Sequence, residues 1–199
     1  GGYYHATNRG IDKKLIFTDK KDLDRFLELL KYYRFKNPPS RFSFRNREAY
    51  KGGHTLELIV ELVAYSMMPD HFHLLLKQVS NGGVSEFLSK LSNSYTKYFN
   101  ARNRRSGPLF AGTFKSVSIS ESQITDVSSF IHMEPVKKGI VFNINRFPFS
   151  SYLEYIGGAE DGFCNKENVM KNFTSKIEYQ NFLTQSSTPS ENMKSIFFE

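Results

Sequence analysis

Two histidines one residue apart, in His71-Phe72-His73, directly follow the turn-forming run Met68-Pro69-Asp70. On an extended strand alternate side chains emerge on one face, so both imidazoles point the same way while Phe72 points into the opposite packing layer. Such a pair can share a metal ion; it is equally compatible with surface or capped histidines, and a third ligand separates the two readings. Glu134 is the best candidate, at the last turn of a helical segment, with Phe130 one turn earlier on the same face. The spacing also fits an exposed carboxylate at a helix end. Two imidazoles and one carboxylate would leave coordination positions for water and phosphate oxygens, which suits Mg2+ or Mn2+ acting as a Lewis acid on a phosphodiester.

The elements that must position these residues are legible as periodicities. Tyr3 to Asn8 alternates and predicts a first strand ending at Arg9-Gly10. From Asp19 or Asp22 onward, Leu23, Phe26, Leu27, Leu30 and Tyr33 recur at helical spacing until Asn37-Pro38-Pro39-Ser40 stops the helix. Leu56 to Met67 and His71 to Val79 flank the Pro69-Asp70 turn as a hairpin candidate. Val84, Phe87, Leu88, Leu91, Tyr95, Tyr98 and Phe99 predict a second amphipathic helix, and Leu109 to Ile119 another strand. Ser120 with Gln123 has the form of a capping box opening a third helix, which must stop close to Pro135. Strand, helix, two strands, helix, strand, helix predicts an α+β fold with a ferredoxin-like core: an antiparallel sheet with packed helices. Beyond Gly157-Gly158 the chain turns polar. Residues 158–199 are expected to form a C-terminal appendage and tail on a 1–157 domain, with one weakly amphipathic segment carrying Val169, Phe173, Ile177 and Phe182.

Composition limits the classes of function. The 199 residues, 39% hydrophobic and 15% aromatic, can bury one proper core. Lys and Arg number 27 against 20 Asp and Glu, and the resulting charge of +7 favours an anionic partner. The single cysteine, Cys164, excludes an intrachain disulfide and a multi-cysteine zinc site. No run of apolar residues is long enough to span a bilayer, and Gly1-Gly2 resembles no secretory signal, so a cytoplasmic protein with a processed or engineered start is expected.

Six separated motifs then agree in order and spacing. YYHATNRG, LIFTDKKDLDRFLELL, MPDHFHLLL, SYTKYFNARNRRSGPLFAGTFKS, FIHMEPVKKGIV and PFSSYLEY together resemble the REP-associated tyrosine transposases, within the single-tyrosine HUH transposases of insertion sequences. The resemblance covers residues 3 to about 157 and implies a ferredoxin-like HUH core with the histidine pair on a central strand. It implies a single-stranded or hairpin DNA partner, and a tyrosine that attacks a DNA phosphate to leave a 5′-phosphotyrosine and a free 3′-hydroxyl. Under it His71 and His73 match the metal pair and Glu134 the third ligand, replacing a more usual Asn-like residue. Phe130 falls on the position of the tyrosine nucleophile. A phenyl ring has no oxygen with which to form the covalent intermediate.

Three explanations of Phe130 follow: a natural paralogue that binds without cutting, an engineered Tyr-to-Phe trap, or a displaced tyrosine such as Tyr95 or Tyr98. The alternative to a transposase-like strand-transfer protein is a non-catalytic DNA-hairpin-binding or regulatory module. A metal-activated water nucleophile is a further possibility in principle. His132, two residues from Phe130, is expected on another side of the helix as a partly exposed histidine. Arg9, Arg102, Arg104, Arg105, Lys115 and Lys137, with the adjoining Lys138, are the expected phosphate contacts, and the 41–51 loop offers Phe42, Phe44 and Tyr50 as base-stacking groups. Both a monomer and a homodimer fit the resemblance.

Overall fold

A computed structural model describes residues 1–36, 57–159 and 162–185. Four strands form one antiparallel sheet: β1 (Tyr3–Arg9), β2 (Val60–Met68), β3 (His71–Gln78) and β4 (Lys115–Ile119), in the order β2-β3-β1-β4. With α1 (Lys20–Tyr33) between β1 and β2, and α2 (Gly83–Arg102) between β3 and β4, the order β-α-β-β-α-β is that of a ferredoxin-like core. β1 and β3 are the central strands, paired so that Thr7 faces His73 and Arg9 faces His71.

The sheet is covered on both sides, which explains why His71 to Leu76 of β3 are buried without interruption. On one side Phe72, Leu74 and Leu76 pack with Phe26, Leu29 and Leu30 of α1 and Leu88, Leu91 and Tyr95 of α2. On the other, Tyr3 and Leu75 pack with Val127, Phe130 and Ile131 of α3 (Ile124–Lys137). Phe72 and the two histidines thus face opposite layers, as the alternation predicts.

Local chemistry fixes the ends of the helices. The Asp19 carboxylate accepts the Lys21 and Asp22 amides at 2.9 and 3.2 Å, capping α1. Ser120 and Gln123 form the predicted capping box ahead of α3. α3 then runs two residues beyond Pro135, because the ring falls in the final turn. Gly10 ends β1 where only hydrogen fits: a Cβ there would lie 2.0 Å from the Lys14 carbonyl oxygen. The close turn lets the Gly10 amide donate to the Asp70 carbonyl at 2.8 Å, tying the end of β1 to the residue before His71.

Two expectations need correction. The last strand covers only Lys115–Ile119; the stretch before it, broken by Gly107, Pro108 and Gly112, contributes a lone bridge from Phe110 to Gly10. In the C-terminal segment, α4 (Tyr152–Ile156), α5 (Glu167–Met170) and α6 (Lys176–Gln185) pack around α3. The residues buried there are Val169, Tyr179 and Leu183, whereas Ile177 is 68% exposed. The apolar face of α6 is therefore set by the pair Tyr179 and Leu183, four apart, and not by Ile177 and Phe182. No helix among the described residues is long and apolar enough to cross a membrane. Phe42, Phe44, Tyr50 and the rest of the 41–51 loop lie outside the described residues.

Candidate metal centre

His71 and His73 project from β3 towards α3, where Glu134 meets them. Glu134 Oε1 lies 3.1 Å from His71 Nε2, and Oε2 lies 3.1 Å from His73 Nε2. All three residues are buried, so Glu134 is no exposed helix-end carboxylate, and their ligand atoms fall within 4.8 Å of one another. The His71 contact is a hydrogen bond, but the His73 contact is misaligned for one and leaves Glu134 Oε2 buried without a hydrogen-bond partner. A buried carboxylate oxygen facing two ring nitrogens is an unsatisfied acceptor that a cation would satisfy. The donor set and this orphaned oxygen fit a divalent metal.

Each histidine is held from behind. Nδ1 of His71 lies 2.6 Å from Asp70 Oδ1, and Nδ1 of His73 lies 2.8 Å from His5 Nε2. With Nδ1 of each ring facing these partners, both rings turn Nε2 towards Glu134, the arrangement that orients metal-binding imidazoles. His5 is fully buried on β1, its ring parallel to that of His73 at a centroid distance of 5.0 Å.

Electrostatics bind the cluster together. Burial pushes the Glu134 carboxyl upward, but the close approach of His71, which hydrogen-bonds it, and of the His73 ring outweighs burial and holds the group well below the usual carboxylate range. For His71, burial opposes protonation, yet Glu134 and then Asp70 raise its pKa above the ordinary histidine value.

Phe130 lies one turn before Glu134, 5% exposed, with its ring edge-on to His73 at 5.6 Å and to His5 at 6.4 Å. Tyr95 belongs to the other side of the sheet: its hydroxyl donates to the Ile16 carbonyl at 2.5 Å, and the Tyr98 hydroxyl reaches the Lys21 carbonyl at 3.4 Å. On the histidine side, the hydroxyls of Tyr3, Tyr152, Tyr155 and Tyr179 are engaged by Asn168, Gln180, the Val63 carbonyl and His132. His132 is fully buried, contrary to the expected partial exposure, because α4 and α6 close over it. Its Nδ1 is 2.7 Å from Tyr179 Oη and its Nε2 2.8 Å from Ser151 Oγ. Burial lowers its pKa to about 3.

A pocket of about 410 Å3 opens above His71, His73 and Glu134, and Arg9, Lys115 and Lys138 are the cationic residues lining it. The other expected phosphate contacts are placed elsewhere. Arg102 is ion-paired with Asp19 and with the buried Asp22, joining the end of α2 to the start of α1. Arg105 donates to the Pro108 carbonyl at 2.7 Å and lies over the Phe99 ring, and Arg104 is exposed in the loop after α2 with a positive φ of 51°. Lys137 is exposed, its Nζ 5.9 Å from the centre of the Phe130 ring. Lys138 takes the expected place beside the site, whereas His5 and Asp70, the partners behind the two histidines, were not expected from the sequence. The only signal for His5 was that it shares the face of Thr7 on an alternating strand.

This geometry defines a ferredoxin-like protein with a paired-histidine candidate metal centre beside a basic pocket. The family model described as "Transposase IS200 like" matches residues 50–134, ending on Glu134. Among solved structures, the chain is similar to the REP-associated tyrosine transposase bound to a REP hairpin, at 16% identity and a TM-score of 0.47, covering 79% of this chain and 80% of that one. It is also similar to the crystal structure of a candidate transposase from Deinococcus radiodurans R1, at 18% identity and a TM-score of 0.39, covering 65% of this chain and 87% of that one. The fold assignment rests on the strand order and connections described above, independently of these overlaps. A comparison with curated proteins gives no match.

Proposed function

We propose that this chain binds single-stranded or hairpin DNA with a backbone phosphate over the His71, His73 and Glu134 centre, and that it does so without forming a covalent bond to the DNA. The observation that carries the reading is Phe130: at the position the family resemblance assigns to the nucleophile, a phenyl ring stands beside His73 with no oxygen to accept a phosphoryl group. The tyrosine hydroxyls on the same side of the sheet are committed to structural hydrogen bonds, which argues against a displaced nucleophile.

The ion proposed for the centre is Mg2+ or Mn2+, which when bound supplies Lewis-acid stabilisation of charge on a phosphate oxygen. His71 and His73 present Nε2, and Asp70 and His5 hold the rings in that orientation. Glu134 contributes the hard oxygen donor. Arg9, Lys115 and Lys138 neutralise the phosphates entering and leaving the pocket. Arg104 and Lys137 extend this basic surface, whereas Arg102 and Arg105 serve mainly to fix the end of α2.

The test compares this protein with its Phe130→Tyr form on a denaturing gel, using hairpin DNA with single-stranded flanks and Mg2+ or Mn2+. A slow-migrating adduct with the tyrosine form alone, together with binding by both, is the expected result. Cleavage by the Phe130 form without an adduct would point to a water nucleophile. Failure of both forms to bind would remove the reading.

A further inference from the structure

A second cavity, a groove of about 310 Å3, continues from the basic pocket and shares Asn8, Gly112, Thr113 and Phe114 with it. One wall is α2, which presents Ser89, Ser92, Asn93 and Thr96, spaced three, one and three residues apart and therefore on one helical face. The opposite wall is the 108–114 segment, which includes the half-buried Phe114, and Phe110, whose ring packs inward on Phe72 and Tyr95. Although the chain carries a charge of +7, no charged side chain among the described residues lines this groove. The neighbouring pocket, by contrast, contains Arg9, Lys115 and Lys138.

The two cavities therefore offer different chemistry to one ligand. Cations neutralise phosphate; hydroxyls and a carboxamide beside an aromatic ring match the donor and acceptor edge and the flat face of a nucleobase. Ser92 adds an independent indication, since its Oγ is shielded from solvent without a hydrogen-bond partner. A ligand atom that paired with it would remove that cost. Asn93 is exposed at the mouth, and its amide can pair with two positions on a base edge at once.

We propose that this groove is a base-reading subsite, holding one unpaired nucleobase of the strand whose phosphate lies over the metal centre, with Asn93 and Ser92 as the specificity-determining residues. The assignment rests on the DNA-binding reading above. It separates two tasks along the strand: the basic pocket holds the backbone irrespective of sequence, and the groove selects the base next to it.

The experiment uses the full chain with Mn2+ and a DNA library in which a fixed hairpin carries randomised single-stranded flanks. Protein-retained DNA is sequenced for the wild type, Asn93→Ala and Ser92→Ala, after thermal unfolding has shown the variants to be folded. The wild type is expected to enrich one base at one flank position by roughly ten-fold, and Asn93→Ala to flatten that position alone while still retaining the hairpin. Ser92→Ala should weaken the same position. Unchanged base preferences in both variants would overturn the subsite and leave DNA binding standing. A wild type that retains none of the library would overturn the subsite and the DNA-binding reading together.

Discussion

His5 and His73 lie on adjacent central strands, two residues out of direct register, with parallel rings and Nε2 of the first 2.8 Å from Nδ1 of the second. A diagonal neighbour across two strands is within reach of a long side chain, and here it decides which nitrogen of His73 is turned to Glu134. Replacing His5 by Phe keeps the buried ring and removes the hydrogen-bond partner. Mn2+ affinity, measured by titration calorimetry, is expected to fall by about 10- to 100-fold while the fold persists. An unchanged affinity would show that His5 only packs.

Metal binding should be visible as stability. A ligand that binds only the folded state at a hundred times its Kd adds about 2.7 kcal/mol, so Mn2+ should raise the thermal midpoint and a chelator should reverse the rise. Glu134→Ala removes the oxygen donor and should abolish the shift. If that variant responds to Mn2+ as the wild type does, the ion binds elsewhere.

The buried His132 sets a pH dependence. Its folded pKa of about 3 lies below the ordinary value of 6.5, so between those limits the unfolded chain takes up a proton that the folded chain refuses. Stability from this group is intact above pH 6.5 and falls by about 1.4 kcal/mol for each pH unit as the pH drops towards 3. His132→Gln should be less stable at neutral pH but show a shallower decline into acid. Parallel thermal melts of the two proteins across that range check the slope; identical slopes would assign the acid sensitivity to other groups.

Basic residues should divide by role. Lys115 lines the pocket, and Lys115→Ala is expected to lower DNA affinity and reduce the slope of log affinity against log salt by about 1. Arg102 is paired with Asp19 and Asp22, so Arg102→Ala should lower the melting temperature, with a smaller change in the salt slope. Binding isotherms at several salt concentrations, together with melts, would expose a reversed pattern.

The sequence reveals elements whose signals are local. The Ser120–Gln123 cap, the helical spacing through Leu88, Leu91 and Tyr95, and the one-residue spacing of His71 and His73 each depend on neighbours in the chain. The partner behind His73 does not. That His5 meets His73 depends on β1 lying beside β3 in a particular register, and alternation alone reveals a face without revealing the strand beside it. His132 was misjudged for the same reason: what buries it arrives 19 and 47 residues later, as Ser151 and Tyr179. The helix carrying Tyr179 is short and weakly patterned, so its buried side was not readable before its docking was known.

That docking gives the metal centre a place in time. A chain made from its N-terminus completes the sheet, and with it both histidines, well before the residues that cover α3 have been synthesised. The helix bearing Phe130 and Glu134 completes its outer packing only when Tyr179 and Leu183 leave the ribosome. A nascent chain therefore holds the helix of Glu134 against the histidines with its outer side still uncovered, and the candidate site is the last part of the fold to be finished.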